Sequence, residues 1–191
     1  MDIKTKIATL AILAAATCAA GEAQRKVTVC MDTTPTSEVV RAQAQASQMF
    51  AAIGVKLDWR CPKSEAQGTI VISLARGVPE NRKPGELAYA YPYEGTHIVI
   101  FYDCVRTIMR NQVPRLLAHV MVHEVTHILQ GFPRHSASGV MKANWDNSDF
   151  SQMSWQTLPF TAEDIALIRR GLDAREAGLR GATLVASNHM Q

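Results

Sequence analysis

The sequence has no C-x-x-C pair, so a zinc site built from paired cysteines is excluded. Its lysines and arginines are scattered, with no basic stripe interleaved with aromatics, and the formal net charge is only +3. A nucleic-acid partner therefore has no electrostatic footprint. No internal repeat and no low-complexity tract is present. The apolar run of residues 7–20 is shorter than the roughly 20 residues a helix needs to cross a bilayer, so no membrane span is expected.

That run reads instead as part of a leader. Lys4 and Lys6 give a positive start, the Ala-rich stretch follows, and Ala20 and Ala23 offer small-residue cleavage points. Residues 1–23 thus read as a signal peptide, and the protein is expected to be secreted or periplasmic. Ala15 and Thr17 ahead of Cys18 fit a lipobox poorly. Removing residues 1–23 takes away two lysines and two acids, so the formal charge stays at +3. Residues 24–180 suffice for one domain with its own core, and 181–191 read as a flexible tail. Cys30, Cys61 and Cys104 remain; an oxidising compartment allows one disulfide and leaves one thiol over.

The order of elements follows from periodicity and breakers. Residues 26–31 read as a strand, and Pro35 turns the chain into a helix over 37–53 that Gly54 stops. Val55, Leu57, Trp59 and Cys61 alternate with polar residues, the pattern of a strand buried on one face. The run Ile70, Val71, Ile72 suggests a strand over 68–74 buried on both faces. After a polar loop at 75–85, strands are expected at 87–91 and 97–102. From 113 to 130 the chain has no glycine and a single proline in the first turn, which predicts a helix of about five turns. Leu116, Leu117, Val120, Met121 and Ile128 wrap much of its circumference, so it belongs in the core. Residues 131–158 read as an irregular segment long enough to serve a site. Thr161 with Asp164 resembles a capping box and opens a last helix reaching residue 170 or beyond.

Inside the buried helix stands His123-Glu124-Val125-Thr126-His127, an H-E-x-x-H motif. Residues four apart share a helix face, so both imidazoles can reach one ion at zinc-to-nitrogen distances of about 2.0 to 2.1 Å. Glu124 is rotated about 100° from His123, which puts its carboxylate beside the open side of such an ion, where it can take a proton from water. Left as plain core residues among Leu and Val, two imidazoles and a carboxylate without partners would cost several kcal/mol, on the order expected for buried polar groups. A metal ion satisfies them directly. His119, one turn earlier and followed by Val120 rather than an acid, reads as a hydrogen-bonded core histidine supporting the site.

A catalytic zinc takes three protein ligands. The third candidate is His135, with Asp146, Asp149 and Glu163 as alternatives. His135 is favoured because Gly131 lets the chain turn sharply and eight residues suffice to fold back on the ion. A histidine-only shell also keeps the site positive, which strengthens the ion as a Lewis acid.

His123 to His135 in the spacing H-E-x-x-H-x-x-x-G-x-x-x-H, followed by Ser136 and by Gly139-Val140-Met141, resembles the metzincin clan of zinc peptidases. The run through Lys142-Ala143-Asn144-Trp145 is also similar to a set of small bacterial metallopeptidase-like proteins. Gly131 and His135 stand four and eight residues after His127, where metzincins usually have three and six, so the turn is longer here. The resemblance covers about residues 26–170. It implies an α+β fold, a mixed twisted sheet of about five strands with an active-site helix and a C-terminal helix. It further implies zinc at His123, His127 and His135, Glu124 as general base, and Met141 in a methionine turn beneath the metal. The strand at 87–91 would line the cleft as the sheet's edge and pair with an extended peptide substrate. With that strand order, Cys30 and Cys61 come together as the disulfide and Cys104 stays free.

Tyr89, Tyr91 and Tyr93 are candidate cleft residues, and Trp145 and Trp155 read as core anchors. The expected activity is that of an exported, monomeric zinc metalloendopeptidase acting on peptides. The alternative is a zinc-binding recognition module without catalysis, for which a glutamate beside the metal would have no use.

Overall fold

The computed structural model describes residues 24–62, 68–80 and 85–188, with backbone alone after residue 179. The expected signal peptide at 1–23 lies outside the described residues. In chain order the elements are β1 (Arg25–Met31), α1 (Ser37–Ala51), β2 (Val55–Trp59), β3 (Ile70–Ala75), β4 (Ala88–Ala90), β5 (His97–Phe101), α2 (Tyr102–Ile108), α3 (Val113–Gln130), α4 (Asn147–Met153) and α5 (Ala162–Asn188). The fold is α+β, with one mixed sheet in the order β2-β1-β3-β5-β4. Neighbours pair in parallel except at the edge, where β4 runs antiparallel to β5 with Ala88 opposite Ile100 and Ala90 opposite Ile98.

The sheet buries one face. Val27, Val29, Val55, Leu57, Ile70, Ile72, Ile98 and Ile100 point into the core, while Lys26, Lys56 and His97 on the opposite face are exposed. This corrects the expectation that the third strand is buried on both sides. Val71 and Ser73 turn outward and are only half-buried, because the helices that supply the core stack on the other face. A short apolar run does not show which of its residues face a neighbour.

α1 presents Val39, Ala42, Ala46, Met49 and Phe50 as one apolar stripe, and Thr36 caps its start by accepting from the Val39 N–H. The Trp59 indole donates to the Ser47 hydroxyl at 2.8 Å, pinning β2 to this helix. At the sheet's end, Cys30 and Cys61 form the disulfide and Cys104 is free. α3 is the central element: every residue from Leu116 to Gln130 is buried between the sheet, α1 and α5. It ends where Gly131 takes a left-handed φ of 80° and returns its N–H to the His127 carbonyl.

Two short helices were not expected from the sequence. α2 follows β5 directly, with Phe101 at its N-cap and no side-chain cap, so nothing in the residues announces a boundary. α4 lies inside the segment expected to be irregular and opens with a reciprocal capping box between Asp146 and Asp149, an Asp-for-Glu variant of the usual pattern. The Thr161 and Asp164 cap is present as expected, with the Asp164 N–H donating to the Thr161 hydroxyl at 3.1 Å. α5 continues to Asn188, into the stretch 181–191 expected as a flexible tail.

α5 crosses the end of α3 at Gly171, where a Cβ would lie 1.6 Å from the Leu129 carbonyl oxygen. Only glycine permits that approach. Gly178, seven residues on, has nothing within 4 Å of its virtual Cβ. Gly171→Ala is therefore expected to destabilise by about 2 kcal/mol or more through forced separation of the helices. Gly178→Ala should instead stabilise by about 0.5 to 1 kcal/mol through helix propensity. Urea midpoints of the two variants test this, and equal shifts would remove the crossing from the account.

Candidate metal centre

α3 brings His123 and His127 to one face, and their Nε2 atoms approach to 3.0 Å. His123 Nδ1 donates to the Val140 carbonyl at 2.8 Å, which places its proton on Nδ1 and leaves the Nε2 lone pair facing its partner. His135 arrives from the loop after Gly131, with ring centroids 5.2 Å from His123 and 4.9 Å from His127. One nitrogen from each of these three histidines lies within 4.8 Å of the others. Nitrogens that share a tetrahedral zinc stand about 3.3 Å apart, given bonds of about 2.0 to 2.1 Å. The donor set and its spacing therefore fit a zinc ion.

Electrostatics keep the rings neutral. Burial pushes His123 down to about 4 and His127 down to about 3, and the neighbouring His135 adds to both effects. The exposed His135 is lowered too, again by desolvation. Neutral imidazole is the form that ligates metal. Glu124 is buried beside them, and its carboxyl is pushed up to about 8, first by burial and then by the charge of Glu86, against a hydrogen bond from the Ala90 backbone. That bond brings the helix acid to the edge strand β4.

The chain beneath the histidines is one hydrogen-bonded turn. Gly139 takes a φ of 77°, and a Cβ there would stand 2.3 Å from the Pro159 carbonyl oxygen. That same oxygen accepts from the Val140 N–H at 2.9 Å. Val140 holds His123, and the Met141 carbonyl accepts the Ser136 N–H at 2.8 Å, so the turn also meets the residue after His135. Met141 itself is fully buried in the core. Trp145 packs edge-on against His123 at 5.5 Å and against His119 at 6.3 Å.

The alternative third ligands lie outside this cluster. Asp146 and Asp149 both accept from Lys142 Nζ at 2.6 Å, and Glu163 pairs with Arg134. Asp164 reaches both flanks of His135, through Ser136 and Arg134, a role its reading as a helix cap did not suggest. Burial alone would raise its pKa, but bonds from Ser136 and Thr161 and the charge of Arg134 outweigh that and hold it below the usual carboxylate range. The only hint in the residues is a donor on each side of His135.

Of the candidate cleft tyrosines, Tyr89 lies in β4 and Tyr91 follows just after it. Tyr89 pairs with Val99 on the sheet face turned away from α3, and the two tyrosine rings meet edge-on at 5.1 Å. Tyr93 is 83% exposed in the turn before β5. Trp155 corrects its reading as a core anchor: it is 70% exposed and borders a polar hollow of about 500 Å³ with Arg115 and Gln48, away from the histidines. Among the described residues, no helix is long and apolar enough to cross a membrane.

No family model matches the sequence, and no curated protein matches it. The fold does have a counterpart in archaemetzincin from Methanopyrus kandleri, at a TM-score of 0.51 and 14% identity. The match covers 80% of this chain and 98% of that one. The chain thus has an archaemetzincin-like fold, and its three clustered histidines lie on and just after the long central helix.

His119 is a core histidine with both ring nitrogens engaged. Nδ1 donates to the Arg115 carbonyl at 2.7 Å, and Nε2 accepts from the Leu158 N–H at 3.0 Å. Burial lowers it to about 4. In the unfolded chain it takes a proton as pH falls through about 6.5, so between there and about 4 the unfolded state binds more protons and stability falls with pH. The slope from this one group is at most about 1.4 kcal/mol per pH unit. His119→Leu, measured with chelator present, should be weaker than the parent at pH 7.5 by about 1 to 3 kcal/mol, because the Leu158 N–H loses its acceptor. It should then lose less than the parent on transfer to pH 5. Parallel losses in the two proteins would rule out a neutral, buried His119.

Proposed function

We propose that the protein is an exported zinc metallopeptidase of metzincin type, with His123, His127 and His135 holding the ion and Glu124 acting as general base. The observation that carries this reading is the approach of three neutral imidazoles to within 4.8 Å around a helix whose next residue is a buried glutamate. The archaemetzincin-like fold supports it, as does the Gly139-Val140-Met141 turn lying against His123. The N-terminal leader pattern and the Cys30–Cys61 disulfide support export, since disulfides persist in oxidising compartments.

Zinc bound there would polarise a peptide carbonyl and acidify water. The residues of the chain do the rest. Glu124, one position round the helix from His123, accepts a proton from the attacking water and returns it to the leaving amine. A carboxyl pushed up to about 8 by burial is a strong enough base once a nearby cation favours its charged form. His123 is kept in the ligating tautomer by Val140. β4, which has no strand on its outer side among the described residues, offers backbone groups to an extended peptide, and Ala90 lies against Glu124.

The test pairs zinc stoichiometry with cleavage of a peptide library. The parent should bind one zinc per chain and cut. Glu124→Gln should bind the same zinc and cut at least about 100-fold more slowly, the usual scale of general-base loss. Zinc binding without any cleavage by the parent would favour a recognition module, and undiminished cleavage by Glu124→Gln would remove Glu124 as the base.

A further inference from the structure

We propose that Asp164 is a positioning residue for His135, setting the third histidine against the other two through the side chains on either side of it. The inference rests on the reading of the three histidines as a zinc site. His123 and His127 keep their spacing because one helix carries both. His135 has no such support: it is exposed and comes from the loop after Gly131. Its chain neighbours supply the missing constraint.

Asp164 is fully buried at the start of α5. Its Oδ1 accepts from Ser136 Oγ at 2.6 Å and from Arg134 Nη1 at 3.2 Å. Its Oδ2 accepts from the Thr161 N–H at 2.9 Å and from Thr161 Oγ1 at 2.7 Å. One carboxylate therefore fastens the residue before His135 and the residue after it to the first turn of a helix. Arg134 also pairs with Glu163, and the Ser136 N–H is held by Met141, so both flanks are tied a second time. With its flanks fixed, the imidazole has little freedom beyond its own side-chain torsions. Outer partners of this kind typically contribute about 10- to 100-fold in metal affinity.

The experiment measures zinc affinity by chelator competition on the full chain. It compares the parent, Asp164→Asn, Ser136→Ala, His135→Ala and the double variant His135→Ala with Asp164→Asn. Asp164→Asn should weaken zinc about 10- to 100-fold and Ser136→Ala less, in the same direction. In the His135→Ala background, Asp164→Asn should cause no further loss of zinc affinity, although its lowering of the metal-free melting temperature persists. That separates positioning from general destabilisation. Parent-like zinc binding by Asp164→Asn overturns the proposal, as does an equal loss in both backgrounds. Should Asp164→Asn not fold, Ser136→Ala alone decides, and parent-like affinity overturns the proposal. His135→Ala without effect would overturn the zinc-site reading and this inference together, whereas its weakening beside an unaffected Asp164→Asn overturns only the latter.

Discussion

The molecule is organised by the burial of polar rings on a helix that has no exposed side. α3 carries His119, His123, Glu124, Thr126 and His127 into surroundings where apolar residues from the sheet, α1 and α5 fill the space. Each ring nitrogen that enters such a site must find a partner or forfeit several kcal/mol, on the order of an unmade buried hydrogen bond. His119 finds two backbone partners and becomes inert. His123 finds one, and Thr126 bonds back to the Val122 carbonyl at 2.7 Å. What remains are lone pairs facing one another, the condition a cation resolves.

The same backbone groups that satisfy these rings also hold the segment after the helix. Leu158 donates to His119, and its neighbour Pro159 accepts from Val140, whose own carbonyl accepts from His123 Nδ1. Met141 reaches Ser136, and Ser136 reaches Asp164. The loop from Gly131 to Phe160 is therefore bonded to α3 at Val140 and Leu158 and to α5 at Ser136, even though most of it is irregular. Gly139 is required because its left-handed backbone brings the turn under the Pro159 carbonyl, where a side chain would collide.

Much of this was legible in the residues. The bounds of α3, the positions of the strands and the glycine stops follow from periodicity and breakers, signals that act over a few residues, whereas the mixed sheet with its edge strand was implied by the resemblance. The H-E-x-x-H spacing selected two of the clustered histidines because a helix converts sequence distance into direction. His135 was reached by chain-length reasoning and by resemblance. What stayed hidden depends on tertiary partners. Val71 reads as buried until the sheet is seen to have one covered face, and Trp155 reads as an anchor until nothing packs over it. α2 has no cap to announce it, and Asp164 looks like a local cap because its long-range donors lie 28 and 30 residues away.

Small residues decide how closely the remaining parts approach the site. β4 meets α3 through Ala88 and Ala90, the strand's inward positions, and with side chains this short its backbone comes near enough to touch Glu124. A larger residue at Ala90 would push the strand outward and loosen that contact. On the opposite flank Gly171 lets α5 press on the Leu129 carbonyl, and seven residues earlier the same helix presents Asp164 to the His135 loop. Edge strand and last helix thus close on α3 from two directions through alanine and glycine. Their approach sets the Ala90 backbone against Glu124 and the Asp164 carboxylate against the residues flanking His135.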